Sequence, residues 1–145
     1  MADVSGAVKA FFETYARATA SLDPAFLEAA YAESFVFAGP AGAQAVKRED
    51  FLKVVPKRKA FFRAVGLAAS EVSGLEETVL DEHHLLVKAH WTFRFEKEAG
   101  RPILEPGAAT YVLRRQDGRL RIVFQLDHQD LTKRVQELGL MSQEK

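Results

Sequence analysis

The sequence predicts an α+β fold, with helices in the first half of the chain and an antiparallel meander in the second. Two observations support this. Apolar residues recur at helical spacing in the first half, and strand-like alternation with turn dipeptides dominates the second. A chain of 145 residues without cysteine is long enough to form a hydrophobic core without disulfides. We therefore treat residues 1–145 as a single domain.

Three helices are predicted before the meander. The first covers residues 4–20, and its buried face comprises Val4, Val8, Phe11, Phe12 and Tyr15. Asp23 followed by Pro24 is typical of a helix start, because proline in the first turn needs no N–H partner. The short second helix is expected to turn inward Phe26, Leu27 and Tyr31. The third covers residues 48–65, where Pro56 is expected to break or kink it.

Strands and turns fill the rest of the chain. A short strand is predicted at 34–38, with a partner near 44–46. The meander strands are predicted near 70–80, 84–96, 103–115 and 119–128. Turns between them are expected at Asp81-Glu82, Ala99-Gly100 and Asp117-Gly118. A final helix near 130–138 is predicted to carry Leu131, Val135 and Leu138, and to end at Gly139.

Alternation within the strands predicts which face each residue takes. In 84–96 the odd-numbered residues are apolar and should lie under the helices. In 119–128, strict alternation sends one apolar set away from the helices: Ile122, Phe124 and Leu126, beside Thr92 and Val112. Because monomers rarely expose such a patch, we predict a homodimer formed through the sheets.

Composition excludes several classes of function. The chain has 20 Lys and Arg residues against 20 Asp and Glu residues, so it lacks the positive field that nucleic-acid binding requires. No apolar run approaches the roughly 20 residues that span a bilayer. The N-terminal Met-Ala-Asp-Val-Ser-Gly lacks the features of an export signal. We expect a cytoplasmic protein that binds neither nucleic acid nor membranes.

The sequence predicts neither a metal site nor a cofactor. The four histidines lack metal-ligand spacing, because His83 and His84 are adjacent at a turn, while His90 and His128 fall on strands that are not neighbours. No Gly-rich phosphate loop is present. The basic residues of the third helix, which include Lys57 and Arg58, are interpreted as a solvated face, with a phosphate or acidic partner as the alternative.

Two stretches resemble the nuclear transport factor 2-like superfamily. One runs from Thr14-Tyr15-Ala16-Arg17 through 30–37 to Gly39-Pro40, and the other from Leu120 to Leu131. The resemblance covers residues 4–138 and is greatest to bacterial SnoaL-like and ketosteroid-isomerase-like members with no assigned reaction. It implies a cone in which N-terminal helices pack on a curved, mixed, mostly antiparallel sheet around an internal pocket. The superfamily includes enzymes and non-catalytic modules, so the fold does not choose between them.

Two enzyme families within the superfamily match only in part. Ketosteroid isomerases use a Tyr and two Asp residues; Tyr15 is similar to the Tyr, whereas Gly39 and Ala109 stand at the Asp positions. Limonene epoxide hydrolases use an Arg-x-Asp and a second Asp, which Arg94-Phe95-Glu96 and Asp127 resemble. Alternation places Arg94 and Glu96 opposite the apolar face, so sharing a cavity with it would need a bulge.

The resemblance implies a set of cavity-lining residues. They are Phe12, Tyr15, Phe37, Trp91, Phe93, Tyr111, Gln125 and Asp127. A buried carboxyl suits acid or base chemistry, so Asp127 is the predicted catalytic group, with Tyr15 as a hydrogen-bond donor. The alternative for Asp127 is a cap on the last helix, although Asp130 lies nearer to it.

The predicted function is binding of a small hydrophobic organic molecule in this pocket. Any reaction would be a cofactor-free isomerisation, cyclisation or hydrolysis that uses acid and base groups of the protein itself. The alternative is a non-catalytic dimeric interaction or scaffold domain with a vestigial cavity. A filled core without a cavity would favour the alternative.

Overall fold

The computed structural model describes residues 5–21, 23–97 and 100–139. Its helices are α1 (Gly6–Ser21), α2 (Pro24–Ala30), α3 (Arg48–Ala64) and α4 (Leu131–Glu137). Its strands are β1 (Tyr31–Gly39), β2 (Gly42–Lys47), β3 (Leu67–Val79), β4 (His84–Phe95), β5 (Ile103–Gln116) and β6 (Arg119–Asp127). Predicted residues Val4 and Ala99 lie outside the described residues, and so does the side chain of Leu131.

The strands form a mixed six-stranded sheet in the order β2-β1-β6-β5-β4-β3. Strands β3 to β6 are the predicted antiparallel meander. Strand β1 is the exception, because it pairs with β6 in parallel and with β2 in antiparallel fashion. The α+β fold with N-terminal helices and a mixed, mostly antiparallel sheet is therefore confirmed.

The core lies between helices α1 to α3 and one face of the sheet. In β4 the buried residues alternate as predicted: Leu85, Val87, Ala89 and Trp91. From α1, Val8 and Phe12 are fully buried and belong to the same cluster. A smaller cluster of Val65, Phe95 and Val135 fixes α4. Burial of these side chains provides the main stabilisation of the fold.

Local signals at the helix starts are confirmed. The Asp23 carboxylate accepts a hydrogen bond from the Ala25 N–H at 3.1 Å, with Pro24 at the first helical position. The Asp130 carboxylate accepts one from the Lys133 N–H at 3.1 Å and so caps α4. Within the described residues, no helix combines the length and apolar character that crossing a bilayer requires.

One prediction about the first half is wrong, and of the break or kink predicted at Pro56 the break does not occur. Tyr31 begins β1 rather than ending α2, because α2 closes at Ala30 and the extended Tyr31 pairs with Ile122 of β6. Pro56 does not break α3, which continues through Ala64. Pro56 is exposed, so the carbonyl of Leu52 that it leaves without an N–H partner can be satisfied by water on the outer side of the helix.

A β-bulge in β6 overturns part of the predicted alternation. Val112 pairs with Phe124, whereas the next residue, Leu113, pairs with Ile122, so Val123 is the extra residue. Ile122 therefore faces the helices and is fully buried in the core. The prediction that Ile122 faces away is wrong for this reason. Beyond the bulge, Phe124 lies on the outer face and is half-buried.

The bulge predicts that truncating Ile122 costs far more stability than truncating an exposed leucine of β5. Ile122→Ala should lower the free energy of unfolding by about 2–5 kcal/mol, because it opens a cavity in a closed core. Leu104→Ala is the control, since that side chain is 63% exposed, and its effect should stay within about 0.5 kcal/mol. Chemical denaturation measures both. Similar values for the two variants would contradict the bulged register.

Candidate functional site

A cavity of about 740 Å³ lies between the concave face of the sheet and the helices. Seven of the eight predicted residues line it: Tyr15, Phe37, Trp91, Phe93, Tyr111, Gln125 and Asp127. Phe12 is the exception, and its prediction as a lining residue is wrong. Its ring is fully buried and packs against Tyr111, at 5.0 Å between ring centroids, so it supports the wall from behind.

One wall of the cavity is aromatic. Trp91 and Phe93 lie two residues apart on β4 and point to the same face. Their ring planes are 12° from parallel and their centroids are 6.3 Å apart. Tyr15 continues the wall, 5.7 Å from Trp91 between centroids. A wall of this kind offers a flat apolar surface to a ligand.

Gly107 on β5 allows Phe93 to take this position. A Cβ atom at residue 107 would lie only 2.6 Å from Cε2 of Phe93. The side-chain amide of Gln129 closes the same corner, because Gln129 Oε1 accepts a hydrogen bond from the Ala108 N–H at 3.0 Å. Because Gly107 has no side chain, the Phe93 ring can pack directly against the backbone of β5.

A buried chain of hydrogen bonds crosses the cavity floor. The Tyr31 hydroxyl donates to Gln125 Oε1 at 2.6 Å, and Gln125 Nε2 donates to Asp127 Oδ1 at 3.0 Å. The Tyr15 and Tyr31 hydroxyl oxygens are 2.8 Å apart. Since Tyr31 gives its proton to Gln125, Tyr15 donates to Tyr31. The chain joins α1, β1 and β6 and ends on a carboxyl group.

Burial shifts the pKa values of these groups in one direction. Desolvation raises the pKa of Asp127, and the Gln125 amide and the charges of Arg58 and His128 offset this only in part. Desolvation also raises the pKa of Tyr15, and raises those of Tyr31 and Tyr111 well above the usual tyrosine value. The tyrosines are therefore neutral donors, and Asp127 holds its proton to higher pH than an exposed Asp.

Asp127 does not cap α4. Asp130 occupies the N-cap position and bonds the Lys133 N–H, while Asp127 accepts from Gln125 inside the cavity. Asp127 ends β6 on the concave side because the bulge places Gln125, and hence Asp127 two residues later, on that side. Of the two predicted positions for this carboxyl, the structure places it at the cavity.

The cavity lining includes residues that the sequence does not predict there, among them Tyr31, Lys57 and Arg58. The sequence predicts Tyr31 in a helix, and the irregular burial along β1 shows no period that would indicate a strand. Lys57 and Arg58 are exposed, as the solvated-face interpretation predicts, and they also line the cavity from α3. That interpretation also fits Lys53, which pairs with Glu49 and Asp50 on the outside of the helix.

The two enzyme families compared above find partial counterparts here. Gly39 and Ala109 both line the cavity, but neither carries a carboxyl group. Arg94 and Glu96 pair with each other at 2.9 Å on the surface, with about half of each side chain exposed, and do not line the cavity. Among the described residues, no three His, Asp or Glu side chains come close enough together to hold a metal ion.

Comparison with solved structures shows the same fold in proteins of different roles. An NTF2-like protein with a cystatin-like fold from Novosphingobium aromaticivorans has a TM-score of 0.69 at 15% identity, covering 94% of this chain and 88% of that one. The β subunit of the benzoate 1,2-dioxygenase from Burkholderia mallei has a TM-score of 0.68 at 15% identity, covering 92% and 95%.

A third relative is described as a putative calcium/calmodulin-dependent protein kinase II association domain, from Xanthomonas campestris. It has a TM-score of 0.64 at 18% identity, and 85% of each chain is covered. No curated protein matches the sequence. The family model described as NTF2-like protein (DUF6841) matches residues 3–130. The chain therefore belongs to the DUF6841 family of NTF2-like proteins.

Proposed function

We propose that the protein binds a small, largely hydrophobic organic molecule in the cavity. The observation that carries this proposal is the convergence of an aromatic wall, Trp91 and Phe93, with a hydrogen-bonded chain that ends at Asp127, in one cavity of about 740 Å³. Sites for organic ligands combine a mostly apolar lining with a few convergent polar groups. Cavities of roughly 300–1,000 Å³ are typical of such sites.

Any turnover in this cavity would be cofactor-free acid and base chemistry. Isomerisation, cyclisation and hydrolysis each need a group that takes or returns a proton. Asp127 lines the cavity, and burial raises the pKa of its carboxyl, which suits it to exchange a proton with a ligand. The Tyr111 hydroxyl stays protonated and is suited to hydrogen-bond an oxygen on which negative charge develops. The Tyr15 hydroxyl also stays protonated, and to act as a second donor it must turn its proton from Tyr31 to the substrate. Asp127 is thus the proposed acid or base, and the two tyrosines are the proposed donors.

The competing function is a non-catalytic interaction or scaffold domain. Relatives of this fold include both an enzyme subunit and an association domain, so the fold alone favours neither class. A scaffold needs no open cavity, and it gains nothing from desolvating a carboxyl beside one. The cavity and the position of Asp127 therefore favour ligand binding.

Trp91 gives a direct test, because it is the only tryptophan and it lines the cavity. A panel of steroids, terpenoids and aromatic polyketides should include compounds that quench or shift its fluorescence saturably. At about 100 times the dissociation constant, a ligand should stabilise the fold by roughly 2.7 kcal/mol, a shift that thermal melting detects.

Filling the cavity provides the control for this binding test. Ala109→Leu adds bulk to the lining and should weaken every ligand found. Ala45→Leu lies at an exposed position outside the lining and should leave affinity unchanged. If the whole panel leaves both the fluorescence and the melting temperature of the unmodified protein unchanged, the binding proposal fails.

Asp127→Asn should keep or raise stability at neutral pH. The pKa of Asp127 is raised in the fold, so the folded chain holds this proton more tightly than the unfolded chain does. The ionised carboxylate therefore destabilises the fold above that pKa, and the penalty disappears as pH falls below the ordinary value of 3.8. The advantage of Asp127→Asn should shrink correspondingly on acidification, as chemical denaturation at several pH values would show.

Asp130→Ala is the comparison for a carboxylate that caps a helix. It should lower the free energy of unfolding by about 0.5–2 kcal/mol, because the Lys133 N–H loses its acceptor.

Asp127→Asn should also abolish any turnover that the binding panel reveals. A clear loss of stability in Asp127→Asn at neutral pH would argue that the carboxylate is structural.

We also propose that the outer face of the sheet forms a homodimer. Val112 and Phe124 pair across β5 and β6, with Leu126 next to them, and all three are half-buried on the face opposite the cavity. Pairing with a second copy would remove this apolar patch from water. Ile122, which faces the core, is not part of the patch.

Phe124→Glu should dissociate this dimer, because it places a charge in an apolar interface. Val79→Glu is the control, since Val79 is 64% exposed at the end of β3, and it should leave the assembly unchanged. Light scattering at high micromolar concentration measures both. A monomeric unmodified protein under these conditions would refute the dimer.

A further inference from the structure

We infer that the ligand of this cavity is an aromatic organic acid, whose ring lies against Trp91 and Phe93 and whose carboxylate is held by Arg58 and Lys57. The inference rests on the proposed binding function and names the chemical class of its ligand. It depends on the balance of charge around the cavity, on the placement of Arg58, and on the state of Asp127.

The charges that line the cavity are unequally engaged. Four charged residues line it: Lys57, Arg58, Asp127 and Asp130. The Asp130 carboxylate is occupied as the cap of α4, and the Asp127 carboxyl accepts from Gln125. Lys57 and Arg58 form no ion pair with any carboxylate in the described part of the chain. The two cations therefore have no direct carboxylate contact, whereas both carboxyl groups already accept a hydrogen bond from the protein.

Arg58 is directed along the cavity wall. Its guanidinium carbon lies 5.6 Å from the centroid of the Phe62 ring, one helical turn further along α3, and Phe62 also lines the cavity. Arg58 is exposed, and this contact places its guanidinium group beside a ring that lines the cavity. The Arg58 charge also acts on Asp127, Tyr15 and Tyr31, where it lowers each pKa. Its field thus reaches the floor of the cavity.

Asp127 is compatible with an anion in the same cavity. Burial raises the pKa of its carboxyl, so protonation relieves the repulsion that two carboxylates would otherwise have. Its floor position beside Gln125 also leaves the α3 side of the cavity to the ligand carboxylate.

The donor types favour a carboxylate over other head groups. A guanidinium group offers parallel N–H donors that match the two oxygens of a carboxylate, and the Lys57 ammonium adds a second charge beside it. The flat rings of Trp91 and Phe93 favour an aromatic body over a flexible chain. An acid with its carboxylate directly on a fused ring system meets both requirements.

Isothermal titration calorimetry with a matched pair of probes tests the inference. The probes are 2-naphthoate and 2-naphthamide, which share the ring and differ in the charge of the head group. The unmodified protein should bind naphthoate about tenfold more tightly than naphthamide, the difference expected for a charge-assisted contact over a neutral one. Arg58→Gln should reduce this ratio severalfold, because it weakens the binding of naphthoate more than that of naphthamide.

Arg63→Gln is the matched control, because Arg63 lies on α3, is exposed and does not line the cavity. It should keep the ratio of the unmodified protein, and Lys57→Gln should lower it. Equal affinities for the two probes, or a ratio that survives Arg58→Gln, would overturn the acid as ligand and leave binding of an apolar molecule standing. If neither probe binds the unmodified protein, the failure lies with the proposed binding function itself, and this inference fails with it.

Discussion

The hydrogen bond from the Tyr31 hydroxyl to Gln125 Oε1 is the contact on which the cavity floor depends. It joins β1 to β6, the parallel pair that links the N-terminal half of the chain to the meander. Tyr15 ties α1 to the same contact through the Tyr31 hydroxyl. Buried hydroxyl and amide groups are costly without partners. Each hydrogen bond therefore fixes the position of the next group, and together the three bonds form the polar floor of the cavity.

The bulge at Val123 makes this contact compatible with a closed core. Strict alternation from a buried Ile122 would send Gln125 to the outer face, whereas the extra residue returns it to the concave side. One irregular residue thus allows β6 to contribute both a fully buried Ile122 and the polar pair of Gln125 and Asp127. The bulge that interrupts the alternation of β6 therefore also places its last residues at the cavity.

The sequence predicts regular features well because these depend on local interactions. The alternation of β4 correctly places Trp91 and Phe93 on the cavity side, and Asp130 is correctly identified as the cap of α4. Prediction from sequence fails for Ile122 and Tyr31. The bulge that turns Ile122 inward and the parallel pairing that makes Tyr31 a strand residue both depend on partners distant in the chain. The resemblance to relatives places Phe12 on the wall, but its ring is fully buried in the core behind Tyr111. Whether Arg58 points into solvent or along a wall depends on Phe62 and the sheet opposite.

The cavity carries positively charged side chains on its α3 side and a buried carboxyl group at its floor. At the α3 side the positive charges of Lys57 and Arg58 lack described carboxylate partners. At the floor, the desolvated Asp127 is held by an amide and lies in line with hydroxyls that stay protonated. An empty cavity and a desolvated carboxyl each reduce stability. A core under selection for stability alone would therefore fill this volume and omit the carboxyl. Retaining a desolvated acid next to an open aromatic wall is a stability cost of the kind that binding sites carry.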